Sequence, residues 1–356
     1  MAGRLFDAQV VLSPVNSPRG KLMSQYVCVR IPRMDDVDVA LFERDWNNTI
    51  YFFLLNADEQ IYLRYGGRDS ASPDTYLNLS SLELALAKGL ELHRQYQSGE
   101  LKKTPRPDPV FPREFSLLAE RTKNSCVECH LIVDFQNQHR EQDGTLDKLT
   151  HLYRSPDIKT IGIELEVPKG LLVKEAKGAV EEAGMKTGDV ITAVNGTAVW
   201  TFGDLQYRYD KVDRRSKRVG IAVDRGGQPV ELSVKLPGLW WLTDLGFRQS
   251  TIDPRAYFGS RPLTEAEKSE RGLKPASFAG QVDYIDSGAN MLRNHELKIG
   301  NIITAVDGVE QDEVANTPEL FIKLRKNAGD SVMLDVVRDG KVIKMPLRTY
   351  RMGFRK

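Results

Sequence analysis

One segment occurs twice in the second half of the chain, and this repeat restricts the possible folds more than any other feature. Gly188–Gly196 reads GDVITAVNG and Gly300–Gly308 reads GNIITAVDG. About thirty residues beyond each copy, Arg225-Gly226-Gly227 and Arg338-Asp339-Gly340 separate two alternating apolar runs. That pattern predicts a β-hairpin turning on glycine. Each copy then has one grammar: a short helix, a strand, a tight Asn-Gly or Asp-Gly turn, a second helix and the hairpin. The second helices should start at Thr201, with Asp204 three residues on, and at Thr317, with Pro318 at the first helical position. Two copies of one α+β module are predicted, over residues 156–238 and 239–356.

The residues EEAGMKTGDVITAVNG (Glu181 to Gly196) and LKIGNIITAVDG (Leu297 to Gly308) resemble PDZ domains of the bacterial type. LTEAEKSERGL, Leu263 to Leu273, is similar to an insertion in PDZ modules of the HtrA family of periplasmic serine proteases. The second copy departs from the pattern, with Asn301 for the usual Asp and Glu296 where a Gly usually precedes Leu297. The resemblance implies that a C-terminal or extended peptide adds as a strand beside the second helix, its carboxylate held by backbone N–H groups. By position the carboxylate loops would be Ile161-Gly162-Ile163, with the helix from Phe202, and Leu245-Gly246-Phe247. Glycine is expected there so that the backbone can approach an anion. The competing reading is a groove packed against a neighbouring part of the chain, because fold alone does not establish binding. For the second copy, weaker or altered binding is expected.

Proteases often carry such modules, but the chain has no Gly-x-Ser-Gly-Gly, Gly-x-Ser-x-Gly or His-Glu-x-x-His. The first half reads differently. NTIYFFLLN, ADEQ and IYLRYGG predict two strands around a turn, followed by a helix with a Ser80/Glu83 capping box and a Leu79/Leu84 staple. Leu82, Leu86 and Leu90 give that helix one apolar stripe, ending near Gly99, before a proline-rich linker, KKTPRPDPVFP. TIYFFLLNADEQIYLRYGGR resembles the distal part of a thioredoxin-like domain, here residues 1–104. The whole order resembles bacterial thioredoxin/PDZ-domain proteins. A working thioredoxin needs two cysteines, whereas this region offers only Cys28, in the strand-like run YVCVRI. Cys28 is expected to be a small buried hydrophobe, and the domain degenerate.

Residues 105–155 hold Cys126-Val-Glu-Cys129-His130. The motif is similar to that of c-type cytochromes, in which two thiols bond the haem vinyls and the adjacent histidine binds iron. Haem c is expected on Cys126 and Cys129, with His130 as one axial ligand. His151, after a chain reversal at Gln142-Asp143-Gly144, is the second candidate, flanked by Leu149 and Leu152. His139 should share the helix of His130 and so fail to reach the opposite face. An open or methionine-ligated second position is the alternative. Zinc, with His139 or His151 completing the set, and a redox dithiol are the competing uses of the motif.

The 50 Lys and Arg residues nearly cancel the 49 Asp and Glu, giving a net charge of +1, which argues against a dedicated nucleic-acid binder. No apolar run approaches the ~20 residues of a membrane span. The chain is therefore read as an α+β multidomain protein: a degenerate thioredoxin-like domain, a short helical haem segment and two PDZ modules. The expected function is an extracytoplasmic peptide-binding scaffold with an electron-transfer or sensing haem and a possible redox partner. No signal segment is visible, so a cytoplasmic site is the alternative. The rival function is a thiol oxidoreductase or a non-catalytic accessory of a PDZ protease.

Overall fold

The computed structural model describes residues 2–48, 50–121, 127, 129–243, 251–286 and 296–351. Its chain divides into two compact units, residues 1–136 with 153–249, and residues 137–152 with 250–356. The segment 105–155 therefore contributes to both.

The first unit begins with helices α1 (Ala2–Val11) and α2 (Pro18–Met23). Next comes the expected hairpin, β1 (Tyr51–Leu55) and β2 (Ile61–Gly66), antiparallel with Tyr51 opposite Gly66. Asn56 closes the turn, its side chain accepting from the amides of Asp58 and Gln60, both at 3.0 Å. Helix α3 (Leu79–Gln97) packs on the hairpin through Leu82, Ala85, Leu86 and Leu92, with Leu54, Leu63 and Tyr65 opposite. Its cap is Asn78, whose side chain accepts from Ser80 N, so the Ser80/Glu83 capping box does not form. Glu83 instead pairs with Arg19 at 3.2 Å, and Leu84 is exposed rather than stapled. A side chain one step upstream thus serves the orphan amide first.

The run around Cys28 is not a strand, and Cys28 is exposed, as are Val27, Val29 and Ile31. Alternation there found no partner strand to give it a buried face. The proline-rich segment is tied down rather than free. Thr104 N donates to Gln60 Oε1 (2.7 Å), and Arg106 and Val110 N both reach the Asp38 carboxylate, at 3.1 and 3.0 Å. Beyond it lie α4 (Ser116–Arg121), α5 (Cys129–Gln142) and α6 (Lys148–His151).

The first module completes that unit. β3 (Ile163–Leu165) pairs with β4 (Val173–Ala176), then come α7 (Gly178–Glu182), β5 (Val190–Val194), β6 (Thr197–Ala198), α8 (Phe202–Asp210) and the hairpin β7 (Arg218–Arg225) and β8 (Gln228–Lys235). The turns are those expected: Asn195 and Gly196 at φ 45° and 73°, Gly226 and Gly227 at 61° and 86°. Thr201 caps α8 by accepting from Asp204 N.

The second unit repeats this order. β9 (Pro254–Arg255) and β10 (Phe258–Pro262) precede the insertion helix α9 (Glu265–Glu270), β11 (Gly280–Ile285), β12 (Ile302–Val306), α10 (Pro318–Arg325), the hairpin β13 (Ser331–Arg338) and β14 (Lys341–Arg348), and β15 (Tyr350–Arg351). Its sheet runs β10-β11-β12-β13-β14, which leaves β10 on an edge. Thr317 caps α10 with Pro318 in its first turn. No helix among the described residues is long and apolar enough to cross a membrane.

Candidate functional site

The predicted loop of the first module, Ile161-Gly162-Ile163, is a single helical turn running into β3. Ile161 and Ile163 are buried in the module core. Gly162 sits at φ 94°, and a Cβ there would lie 1.8 Å from Lys177 O. Its N–H donates to Lys159 O (3.0 Å) while its carbonyl accepts from Lys177 N (2.9 Å). The glycine is required by a close pass of the protein's own backbone. β4 is the only strand partner of β3 among the described residues, so one edge of β3 is free to take another strand.

Phe202 and Gln206 share one face of α8, four residues apart, and both are engaged within the chain, Phe202 by the stacked ring of Tyr76 and Gln206 through Arg68 O at 3.3 Å. A second face meets β2. Arg64 N donates to Asp204 Oδ1 (2.9 Å), Thr201 Oγ1 donates to Arg64 O, and Tyr51 OH donates to Gly203 O (3.2 Å). A Cβ on Gly203 would lie 2.7 Å from Arg64 O. The free edge of β2 is thus closed by a helix, an arrangement the sequence reading missed. Burial pushes the Asp204 carboxyl up to about 6, although the Arg64 amide and guanidinium and the Trp200 amide pull the other way. At the far end of α8, burial would also raise Asp210. Here Arg154 and Arg214 win, each at 2.6 Å, and with Ser155 N they hold the carboxyl down at about 2.

In the second module, Leu245, Gly246 and Phe247 lie outside the described residues. The strand in the position of β3, directly before the insertion, is β10, approached through Tyr257 at φ 55°. Reading back from Leu263-Thr264 would have found it, since the groove strand must end where the insertion starts. α10 packs on β10, as the peptide reading requires. Asn301 is a packing group here. Its side chain accepts from Lys298 N (3.0 Å) and from Arg338 Nη2 (2.9 Å).

Of the haem residues, Cys126 lies outside the described residues, and the side chain of His130 does too. Cys129 opens α5 with His130 beside it, and the Cys129 thiol accepts from Arg44 Nη2 at 3.1 Å. The Arg44 guanidinium also lies over Trp46 and Tyr51. His139 shares α5 as expected and pairs with Asp143 at 3.3 Å. His151 ends α6 beyond a reversal at Gly144 (φ 70°), and its Nδ1 accepts from Asp147 N at 3.0 Å. Leu149 and Leu152 are buried.

Among solved structures, the HtrA-type protease AlgW with a tripeptide is similar at 12% identity over 47% of this chain and 60% of that one, with a TM-score of 0.26. The same protease with a decapeptide gives 13% identity over 47% of this chain and 56% of that one, with a TM-score of 0.25. The chain thus spans less than two thirds of the length of these proteins. The family model for the PDZ domain matches residues 158–236, the stretch that holds the glycine turn, the free edge of β3 and the flanking helix. Residues 158–236 are a PDZ domain.

Proposed function

We propose that the chain is a non-catalytic, extracytoplasmic binding protein whose PDZ domain, and its structural repeat in residues 239–356, take extended peptides with free C-termini. The observation that carries this is the free edge of β3 in the PDZ domain, repeated as edge strand β10 against which α10 packs. An added strand finds backbone partners along each edge and side-chain pockets against each helix. Lys159, paired within the chain with Asp69 at 2.8 Å, is the cation at the turn where a terminal carboxylate would end. The N-terminal hairpin with α3 supports a degenerate thioredoxin-like reading in which the domain is a brace for α8, since Cys28 is an exposed single thiol. Anisotropy of fluorescein-labelled peptide pools with free or amidated C-termini, mixed with the full chain, tests the reading. Free carboxylates should bind about tenfold or more tightly, the worth of a charge-assisted hydrogen bond. Equal binding removes the carboxylate role.

A covalent haem on Cys126 and Cys129, with His130 as an axial ligand, is the second reading. What favours it is that Cys129 and His130 leave the same first helical turn of α5. Two thiolate-forming residues and an adjacent imidazole suit that group, which when bound supplies one-electron chemistry. A pyridine haemochrome assay after expression with haem maturation decides it: no covalent haem ends this reading and leaves a zinc or dithiol use of the motif.

A further inference from the structure

The chain itself covers the groove face of α8. Leaving β2 through Gly66 and Gly67, at φ 136° and 138°, the backbone passes the Phe202 ring so closely that a Cβ on Gly67 would lie 2.3 Å from it. Arg68 O then accepts from Gln206 Nε2 at 3.3 Å. Asp69 turns one carboxylate oxygen to Lys159 Nζ at 2.8 Å, beside the Ile161-Gly162-Ile163 turn. Its other oxygen accepts from Ala71 N (3.0 Å), Ser72 N (3.0 Å) and Thr75 Oγ1 (2.7 Å), so the side chain is fully committed and only 2% exposed. Tyr76 closes the segment by stacking on Phe202, with ring centroids 3.3 Å apart and planes inclined by 8°. Burial, and then the carboxylates of Asp157, Asp69 and Glu164, push the Tyr76 phenol up.

Both ends of the segment are pinned elsewhere. The Tyr65 hydroxyl donates to Asn78 O (2.6 Å) and accepts from Asn78 N (2.9 Å), joining the last turn of β2 to the cap of α3. Residues 67–76 therefore form a closed loop that can lift away while the hairpin and helix stay in place.

We propose that the loop from Gly67 to Tyr76 is a built-in occupant of the PDZ groove, and that an external peptide binds there by displacing it. This rests on the peptide reading of the groove. A competitor must replace the Asp69–Lys159 and Tyr76–Phe202 contacts, so the partner is a peptide that offers a carboxylate to Lys159 and a flat aromatic ring to Phe202. Gln206, freed from Arg68 O, becomes available to the incoming backbone.

The probe is a fluorescein-labelled octapeptide pool with one fixed aromatic position and a free C-terminus, titrated against the full chain. Wild type is compared with Asp69→Ala and, separately, Tyr76→Ala, and hydrogen exchange is followed at Ala71, Ser72 and Ile163–Leu165. Each variant should release the Ala71 and Ser72 amides, bind the pool about tenfold more tightly than wild type, and protect Ile163–Leu165 on binding. Equal affinity in wild type and released variants, with Ile163–Leu165 protected in all, overturns the loop's role and leaves the peptide reading standing. A released loop with no protection of Ile163–Leu165 by any peptide overturns the peptide reading, and the inference with it. Loop amides that stay protected in both variants also overturn it, because the two named contacts would not be what seats the segment.

Discussion

The two modules share a plan and differ in what surrounds their second helices. Aligned on their caps, Thr201 and Thr317, Gly203 of α8 corresponds to Glu319 of α10, and Asp210 to Lys326. Gly203 is small because the backbone of β2 lies on it, whereas Glu319 pairs with Lys323 at 3.3 Å on a half-exposed face. Asp210 is buried between two guanidinium groups, while Lys326 holds Asp307 at 2.7 Å near the surface. The hairpins differ in the same direction. Arg225 makes a bidentate pair with Asp189, at 2.8 Å on both oxygens, where Arg338 meets the neutral amide of Asn301. One fold thus carries a buried charge cluster where its second helix is covered, and partly exposed ion pairs where it is not.

The largest break in that comparison comes from Asp210→Asn, which takes the carboxylate from buried Arg214 and leaves Arg154 with Glu43 alone, at 2.9 Å. It should cost about 3–5 kcal/mol, while Lys326→Met at the matching position should cost less than about 1 kcal/mol. All four tryptophans, Trp46, Trp200, Trp240 and Trp241, belong to the first unit, so urea unfolding followed by tryptophan fluorescence reads that unit alone. Hydrogen exchange at β12 and β13 reads the second. Comparable costs at the two positions would remove the distinction.

A smaller effect separates the modules by pH. Asp204 binds its proton more tightly folded than unfolded, so between about pH 4 and 6 the folded state holds more protons. Stability of the first unit should therefore fall as pH rises through that window, by on the order of 2 kcal/mol, and Asp204→Asn should flatten the slope. Leu320 occupies the matching place in α10 and confers no such dependence. A slope unchanged in the variant would place its origin elsewhere. The smallest effect is the reciprocal swap. Asp189→Asn should weaken the first module by about 1–2 kcal/mol, and Asn301→Asp should strengthen the second by less, because Arg338 is already held by Glu296 O. Loss of stability in both variants would show that the two arginines are not equivalent.

The sequence made the modules legible because their turns need positive φ and so need Asn, Asp or Gly at fixed places, as at Asn195-Gly196 and Asp307-Gly308. Caps at Thr201 and Thr317 were readable for the same local reason. The β1–β2 hairpin was visible, but the cap of α3 was misplaced because Asn78 and Ser80 are both good acceptors and only geometry chooses between them. Cys28 misled because alternation describes a strand only if a partner covers one face. The loop over the groove left no local signal at all. Asp69 and Lys159 are far apart in sequence, and neither sits in a motif. The position of β10 could have been read from the insertion, while nothing in LGF itself distinguished a groove loop from any other glycine turn.

The closure of β2 by α8 bears on how this protein can be cut. A fragment starting at residue 156 would hold the whole PDZ domain by sequence, yet would leave Gly203 and Asp204 facing water and lose the backbone that satisfies Thr201. The complementary fragment, ending before residue 156, would carry a bare strand with unpaired amides at Arg64, and such an edge recruits another copy of itself. Domain boundaries drawn from family matches would thus yield one piece that is weakened and one that self-associates, and expression trials should keep residues 1–249 together.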